Sequence, residues 1–187
     1  MFGKKKHIDN DQVLKQAESQ LRKGSAEAFR ILYDKYNKKV YRFCLRMLGD
    51  VELAEDAFQE TFIKVYENRQ DFRGKNFAAW LFTIARHTSL NMIRARKTHE
   101  SFDETFHAKK PARVSDVGAK DFIQRAMSML PVALREALIL REYEECSYKE
   151  IAVILDIDLS LAKVRVHRAR LQLRKLLKPL VKEMYES

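Results

Sequence analysis

Three groups of side chains in this sequence of 187 residues have the types and spacing to hold a charged partner. The first is KVRVHRARLQLRKLLK, Lys163 to Lys178, with seven Lys or Arg, one His and no acid, and with apolar residues returning at helical intervals. A helix of this kind can set cations on DNA phosphates and its first turns on base edges. It can equally be the solvated outer face of a C-terminal helix, since bases are favoured toward a helix's C-terminal end. The second is RQDFRGKNFAAWLFTIARHTSLNMIRARK, which mixes Phe72, Phe77, Trp80 and Phe82 with Arg73, Lys75, Arg86, His87, Arg94, Arg96 and Lys97. Aromatics beside bases suit single-stranded nucleic acid, because rings stack on exposed bases while cations hold the backbone. Most of these rings must still be core. Trp80 falls on the apolar side with Leu81 and Ile84, whereas Phe72 in a polar loop, and Arg73 next to Gly74, are better candidates for a base pocket. The third group is a helical face of Glu52, Glu55, Asp56, Gln59, Glu60 and Glu67, opposite an apolar stripe. Dipole complementation accounts for Glu52 but poorly for Glu60. The alternative is a protein partner with a basic surface.

Composition supports binding over catalysis. The formal charge is +10 and the sequence pI about 9.6, which favours a polyanionic partner, nucleic acid before an anionic membrane surface. Residues 1–97 hold 20 Lys and Arg against 12 Asp and Glu, a net of +8, so the N-terminal half carries most of the excess. No compact acid cluster, His-rich metal set or Gly-rich phosphate loop marks an enzyme acting on nucleic acid, and no cofactor or metal is expected. Cys44 and Cys146 lie far apart without a CxxC, which reads as buried free thiols in a reducing compartment. No run approaches the ~18 apolar residues of a membrane span. The N-terminus MFGKKKHIDNDQ is basic but lacks the apolar run of a secretory signal, so a cytoplasmic protein without membrane insertion is expected.

These groups must be positioned by helices, because Gly and Pro number only 5 and 3 and the apolar spacing is three and four. The first helix is predicted from about Asp9 to Lys23, stopped by Gly24. A second runs from Ser25 to Gly49, a third from the cap Asp50 to near Asn68, and a fourth from Phe77 to Lys97. Together they make a compact four-helix bundle. The segment from 98 to 118 has no sustained period and reads as a linker. Helix returns from Lys120 to Leu130, then from Pro131 to about Glu145. Ser147 and Glu150 form a capping box before the short helix Tyr148 to Leu155. After the turn DIDL, capped by Asp158, the last helix runs to about Lys182. The fold class is therefore all-α: two small helical domains, 1–97 and 119–187, on a flexible linker.

The capped short helix, the turn and the basic helix have the layout of a helix-turn-helix. Ile151, Ala152 and Leu155 would pack on Leu161, Ala162, Val166, Ala169 and Leu173. On this register Ser160, Lys163, Val164, His167 and Arg168 point outward, with Arg165, Arg170 and Arg174 nearer to phosphates. The motif alone leaves open a stand-alone regulator of operator DNA.

The residues from about Phe29 to Lys97 and from Leu130 to Leu177 resemble a family, the bacterial RNA polymerase sigma factors of the extracytoplasmic function (ECF, group IV) type. DVELAEDAFQETFIKVYEN is similar to sigma regions 2.1 to 2.2, FRGKNFAAWLFTIARHTSLNMIRARK to regions 2.3 and 2.4, and LPVALREALILREYEECSYKEIAVILDIDLSLAKVRVHRARLQL to region 4. The resemblance implies a non-enzymatic initiation factor that binds core RNA polymerase, recognises the −35 and −10 elements and promotes promoter opening. It implies that Asp56, Gln59 and Glu60 grip the β′ clamp coiled coil, and that region 4 meets the β flap. It places −10 capture at Phe72, Arg73 and Gly74 with Arg86, His87 and Asn91. It places −35 contact at Ser160, Lys163, Val164, Arg165, His167 and Arg168. An anti-sigma factor is a further expected partner. The chain departs from the family at His87, where Asn is usual, at Ser160, Leu161 and Ala162 in place of G-T-V, and at Asp156, where Gly is frequent.

The implied sites set a distance. Promoter elements about 25 base pairs apart lie roughly 85 Å apart at ~3.4 Å per step. A compact chain of this length has a radius of gyration of only about 16 Å. The domains are therefore expected to separate, with an extended linker reaching roughly 70 Å.

Overall fold

The structure is a computed structural model that describes residues 3–73, 76–102 and 119–186, with side chains described over 11–73, 76–96, 98 and 122–179. Its helices, in chain order, are α1 (Gly3–Leu21), α2 (Ala26–Leu48), α3 (Val51–Glu67), α4 (Phe77–Phe102), α5 (Ala119–Ser128), α6 (Val132–Glu142), α7 (Tyr148–Leu155) and α8 (Leu159–Glu186). There is no strand among the described residues, and a single 3-10 turn, Arg69–Asp71, precedes α4.

Local chemistry sets most helix ends. The Ser25 hydroxyl accepts from the Ala28 amide at 3.2 Å, and the Asp50 carboxylate accepts from Leu53 at 3.1 Å, so α2 and α3 each begin on a side-chain cap. Gly49 ends α2 at φ 69°, a left-handed conformation that a side chain would oppose. Asp156 ends α7 in the same conformation, φ 53°, and its amide donates to Ala152 and Val153. The position where the family prefers Gly is thus left-handed here despite its side chain.

Several predicted bounds move. Helix α1 begins at Gly3 rather than about Asp9, since Lys4 to Lys6 are good helix formers and no breaker intervenes. Helix α4 continues to Phe102, into the predicted linker, because THESF contains neither Gly nor Pro. Residues 103–118 of that linker lie outside the described residues. Helix α6 stops at Glu142 rather than about Glu145. There the chain folds back, with the Cys146 amide on the Leu140 carbonyl at 2.9 Å and Glu145 at φ 57°. Helix α8 runs past Lys182 to Glu186, with Pro179 inside it.

Helices α1–α4 enclose a core of Leu32, Val40, Phe43, Met47, Phe62, Phe77 and Leu81, and α5–α8 one of Leu138, Ile139, Leu140, Ile151, Val166 and Ala169. The two cores are continuous. Leu161, expected to pack α7 on α8, is instead exposed, and Ile154 is buried in addition to Ile151 and Leu155. Among the described residues no helix is long and apolar enough to cross a membrane.

The two halves are docked, not apart. Gln124 Nε2 donates to the Leu45 and Arg46 carbonyls at 3.3 and 3.4 Å, and Arg135 Nη1 to the Met47 carbonyl at 2.7 Å. Donors from α5 and α6 thereby satisfy the Arg46 and Met47 carbonyls at the end of α2 and add a second bond at Leu45, whose carbonyl already accepts from the Gly49 amide at 2.8 Å. Arg135 also donates to the Leu130 and Ser128 carbonyls of its own half. The Arg46 guanidinium lies 3.9 Å from the Tyr143 ring centroid, and Asn76 Nδ2 donates to Glu150 Oε1 at 2.8 Å.

Candidate nucleic-acid and polymerase interfaces

The acidic face forms on α3 because its apolar residues Ala54, Ala57, Phe62 and Val65 turn to the core and leave the opposite side in water. Asp56 and Gln59 are exposed, and Glu60 accepts an ion pair from Lys64 at 2.5 Å. Gln59 also borders a shallow apolar groove formed by Phe29, Tyr33, Phe58, Phe62, Ile63 and Tyr66. Ile63 and Tyr66 are 56% and 40% exposed, so Tyr66 leaves the core stripe to which its spacing assigns it. An acidic edge beside exposed aromatic and aliphatic carbon suits a protein partner better than DNA.

The loop and α4 split the second group. Phe72 is only 2% exposed and packs edge-on to Phe77 at 5.5 Å and against Trp80 at 5.4 Å, which corrects its reading as an open base pocket. The polar sequence RQDFRGKN hides this because the ring folds back from the 3-10 turn under the first turn of α4. Trp80, half-buried, keeps the more accessible ring. Arg73 is exposed, and Gly74 lies outside the described residues. On α4, His87 and Asn91 are exposed, and the Asn91 amide oxygen accepts from Arg94 at 3.4 Å. Partial desolvation, with the positive charges of Arg86 and Arg94, holds the His87 imidazole below its ordinary range, against the opposing charge of Glu136.

Arg86 is not free. Its Nε lies 2.8 Å from Glu136 Oε2 and its Nη2 3.3 Å from Oε1, a forked pair across the two halves. Arg165 of α8 reaches the same carboxylate, Nη1 to Oε1, at 3.4 Å. The Glu136 side chain is 3% exposed, so one buried carboxylate holds one candidate from each DNA site. Glu136 is not marked as a site by any motif in the sequence. Its only signal is an Arg135–Glu136 pair on a helix whose neighbours are otherwise apolar.

The helix-turn-helix stands as its spacing implies. Ser147 and Glu150 complete the capping box, with the Ser147 amide on Glu150 Oε2 at 2.7 Å and the Glu150 amide on Ser147 Oγ at 3.2 Å. The Ser147 amide and hydroxyl at the Glu150 carboxylate, with the bond from Asn76, hold that carboxyl below its usual range despite some desolvation. Ala162, Val166 and Ala169 of α8 are buried, which turns Ser160, Lys163, Val164, His167 and Arg168 outward, all exposed. Arg170 is drawn back to Glu142 Oε1, at 2.9 Å from Nε and 2.5 Å from Nη2. Behind this face an apolar groove between α6 and α8, lined by Leu138, Tyr143, Leu173 and Leu177, opens beside Arg170 and Arg174.

Two family models match the chain. Residues 32–99 match Sigma-70 region 2 and residues 122–173 match Sigma-70, region 4. Over 186 residues the chain is 33% identical to the ECF RNA polymerase sigma factor SigW of Bacillus subtilis, which covers 91% of this chain and all of that protein. This chain belongs to the ECF sigma factor family. An RNA polymerase sigma-H factor of Pseudomonas aeruginosa is 34% identical over 181 residues, 87% of this sigma factor and 93% of that one. The sigma factor RpoE of Bartonella quintana, solved with the anti-sigma factor NepR, superposes with a TM-score of 0.70 at 31% identity, covering 82% of this chain and 98% of that one. Sigma factors of this type recognise promoters and initiate transcription with RNA polymerase, and this chain is one of them. As a family they are initiation factors rather than enzymes. Among the described residues no group of three or more His, Cys, Asp or Glu could hold a metal ion.

Proposed function

We propose that the two halves of this sigma factor divide promoter recognition, with 1–97 serving core polymerase and the −10 element, 98–118 as tether, and 119–187 serving the −35 element. The observation that carries the reading is the exposed face of α8. Ser160, Lys163, Val164, His167 and Arg168 share one side of a helix whose other side is core, the geometry for entering a major groove. Arg165 flanks that face and takes a phosphate once free of Glu136. On the first half, Arg73, Gly74, Arg86, His87 and Asn91 capture an unstacked −10 base, with Trp80 as the nearest accessible ring. Phe72 braces that ring from the core. Asp56, Gln59 and Glu60, beside the Phe58–Tyr66 groove, bind the β′ clamp coiled coil, and the α6–α8 groove receives the β flap. An anti-sigma factor is a further partner, supported by the Bartonella quintana relative solved with one. The protein acts in the cytoplasm, on the nucleoid when bound to polymerase, and works through binding energy without catalysing a reaction.

The test is transcription in vitro with purified protein and core polymerase on a promoter-fragment library. Initiation at a defined set of fragments is expected. Specific duplex binding without initiation, with every core polymerase tried, would replace this reading with a stand-alone regulator.

A further inference from the structure

We propose that Glu136 is an internal phosphate mimic that latches the free protein shut, holding Arg86 and Arg165 until nucleic acid replaces it. Two observations and one rule of guanidinium recognition meet here. The carboxylate is held in a fork by Arg86 of one half and touched by Arg165 of the other, at 2.8, 3.3 and 3.4 Å. A guanidinium fork grips a carboxylate and a phosphate with the same two N–H vectors, so the two ligands compete for one site. The pair is also shielded, with side-chain exposures of 15%, 3% and 23% for Arg86, Glu136 and Arg165, so salt screens it less than a surface bridge.

The latch sits within a broader closing surface. Gln124 and Arg135 meet the end of α2, Asn76 meets Glu150, and Arg46 stacks on Tyr143. This closed form cannot span promoter elements roughly 85 Å apart, so bipartite binding requires it to open. Without the Glu136 charge, Arg86 and Arg165 face each other as like charges, and the closed form loses its electrostatic support. DNA phosphates compete with the Glu136 carboxylate for both arginines, and because Arg86 meets Glu136 only in the closed form, its capture by phosphate shifts the population toward the open form. The masking part of this inference rests on the proposed DNA roles of Arg86 and Arg165, whereas the closing contact does not.

Energy transfer between dyes on Lys38→Cys and Lys175→Cys, both exposed positions in different halves, measures closure in the full chain without DNA or polymerase. Native Cys44 and Cys146 are buried, and burial pushes both thiols up to about 12, so labelling is confined to the introduced sites. Glu136→Gln is expected to cut transfer by at least half. Glu142→Gln, which removes the same charge from the Arg170 pair on the second half alone, is expected to leave it unchanged. If Glu136→Gln fails to fold, Arg86→Gln breaks the same latch from the other half and is expected to lower transfer likewise. A folded Glu136→Gln or Arg86→Gln protein with unchanged transfer overturns the latch. A mixed-sequence 20-base-pair duplex at low salt should then open the unsubstituted protein. Binding of that duplex without loss of transfer would overturn the masking of the arginines while leaving the closing contact in place.

Discussion

At the scale of single residues, burial separates side chains that composition cannot. Phe72 and Trp80 sit within the same basic, aromatic segment, yet only Trp80 keeps an accessible ring, because Phe72 is clasped by Phe77 and Trp80. Phe72→Ala should therefore cost about 3–5 kcal/mol of stability, read as a lower urea midpoint, since a buried ring leaves a cavity. If Phe72 instead stacked on DNA, stability would hold and only promoter opening would fall. Arg168 is exposed on the outer face of α8, and if it meets a base edge Arg168→Ala should weaken −35 binding by about 1–3 kcal/mol. An unchanged promoter preference on the fragment library would remove it from the site. His87 carries a pH signature. Its folded imidazole titrates below the ordinary value of 6.5, so below that pH the unfolded chain takes up a proton that the folded chain refuses. Its contribution to stability is full above pH 6.5 and is lost as pH falls from there through the folded value. His87→Asn should flatten that part of the stability profile, as followed by thermal melts across pH 5 to 7.

At the scale of helices, ends governed by one side chain are legible in the sequence, and ends governed by the chain's return are not. Ser25, Gly49, Asp50 and the Ser147–Glu150 box mark their helices because each supplies or accepts a specific hydrogen bond. The C-terminus of α6 is different. It is set by Glu145 entering φ 57° and by the Cys146 amide returning to Leu140, and neither leaves a compositional trace. Asp156 shows a cost of the same kind. A left-handed non-glycine residue is strained by about 1 kcal/mol, somewhat less for Asp, so Asp156→Gly should raise the thermal midpoint without changing the helical spectrum. A fall in the midpoint would mean that the Asp156 side chain makes a compensating contact.

At the scale of the molecule, the two-domain division follows from the sequence, whereas the docking of the domains does not. Arg135 and Glu136 lie within LREALIL, where charged residues ordinarily face water, but both are buried against the other half. Pairing between distant segments has no local signature, so the sequence predicts a tethered pair where the structure holds a closed one. The acidic face of α3 lies clear of that closure, with Asp56 and Gln59 in water. Asp56→Lys combined with Glu60→Lys should thus abolish association with core polymerase in a pull-down while leaving the closed form intact. Retained association would move the polymerase contact elsewhere. The order of synthesis adds a consequence at the end of α2. The Arg46 and Met47 carbonyls take their donors from Gln124 and Arg135, residues the ribosome adds more than seventy positions later. The first half must therefore emerge with the Arg46 and Met47 carbonyls hydrated beside a turn that Gly49 has already capped, and those two carbonyls exchange water for side chains only when the chain's second half arrives.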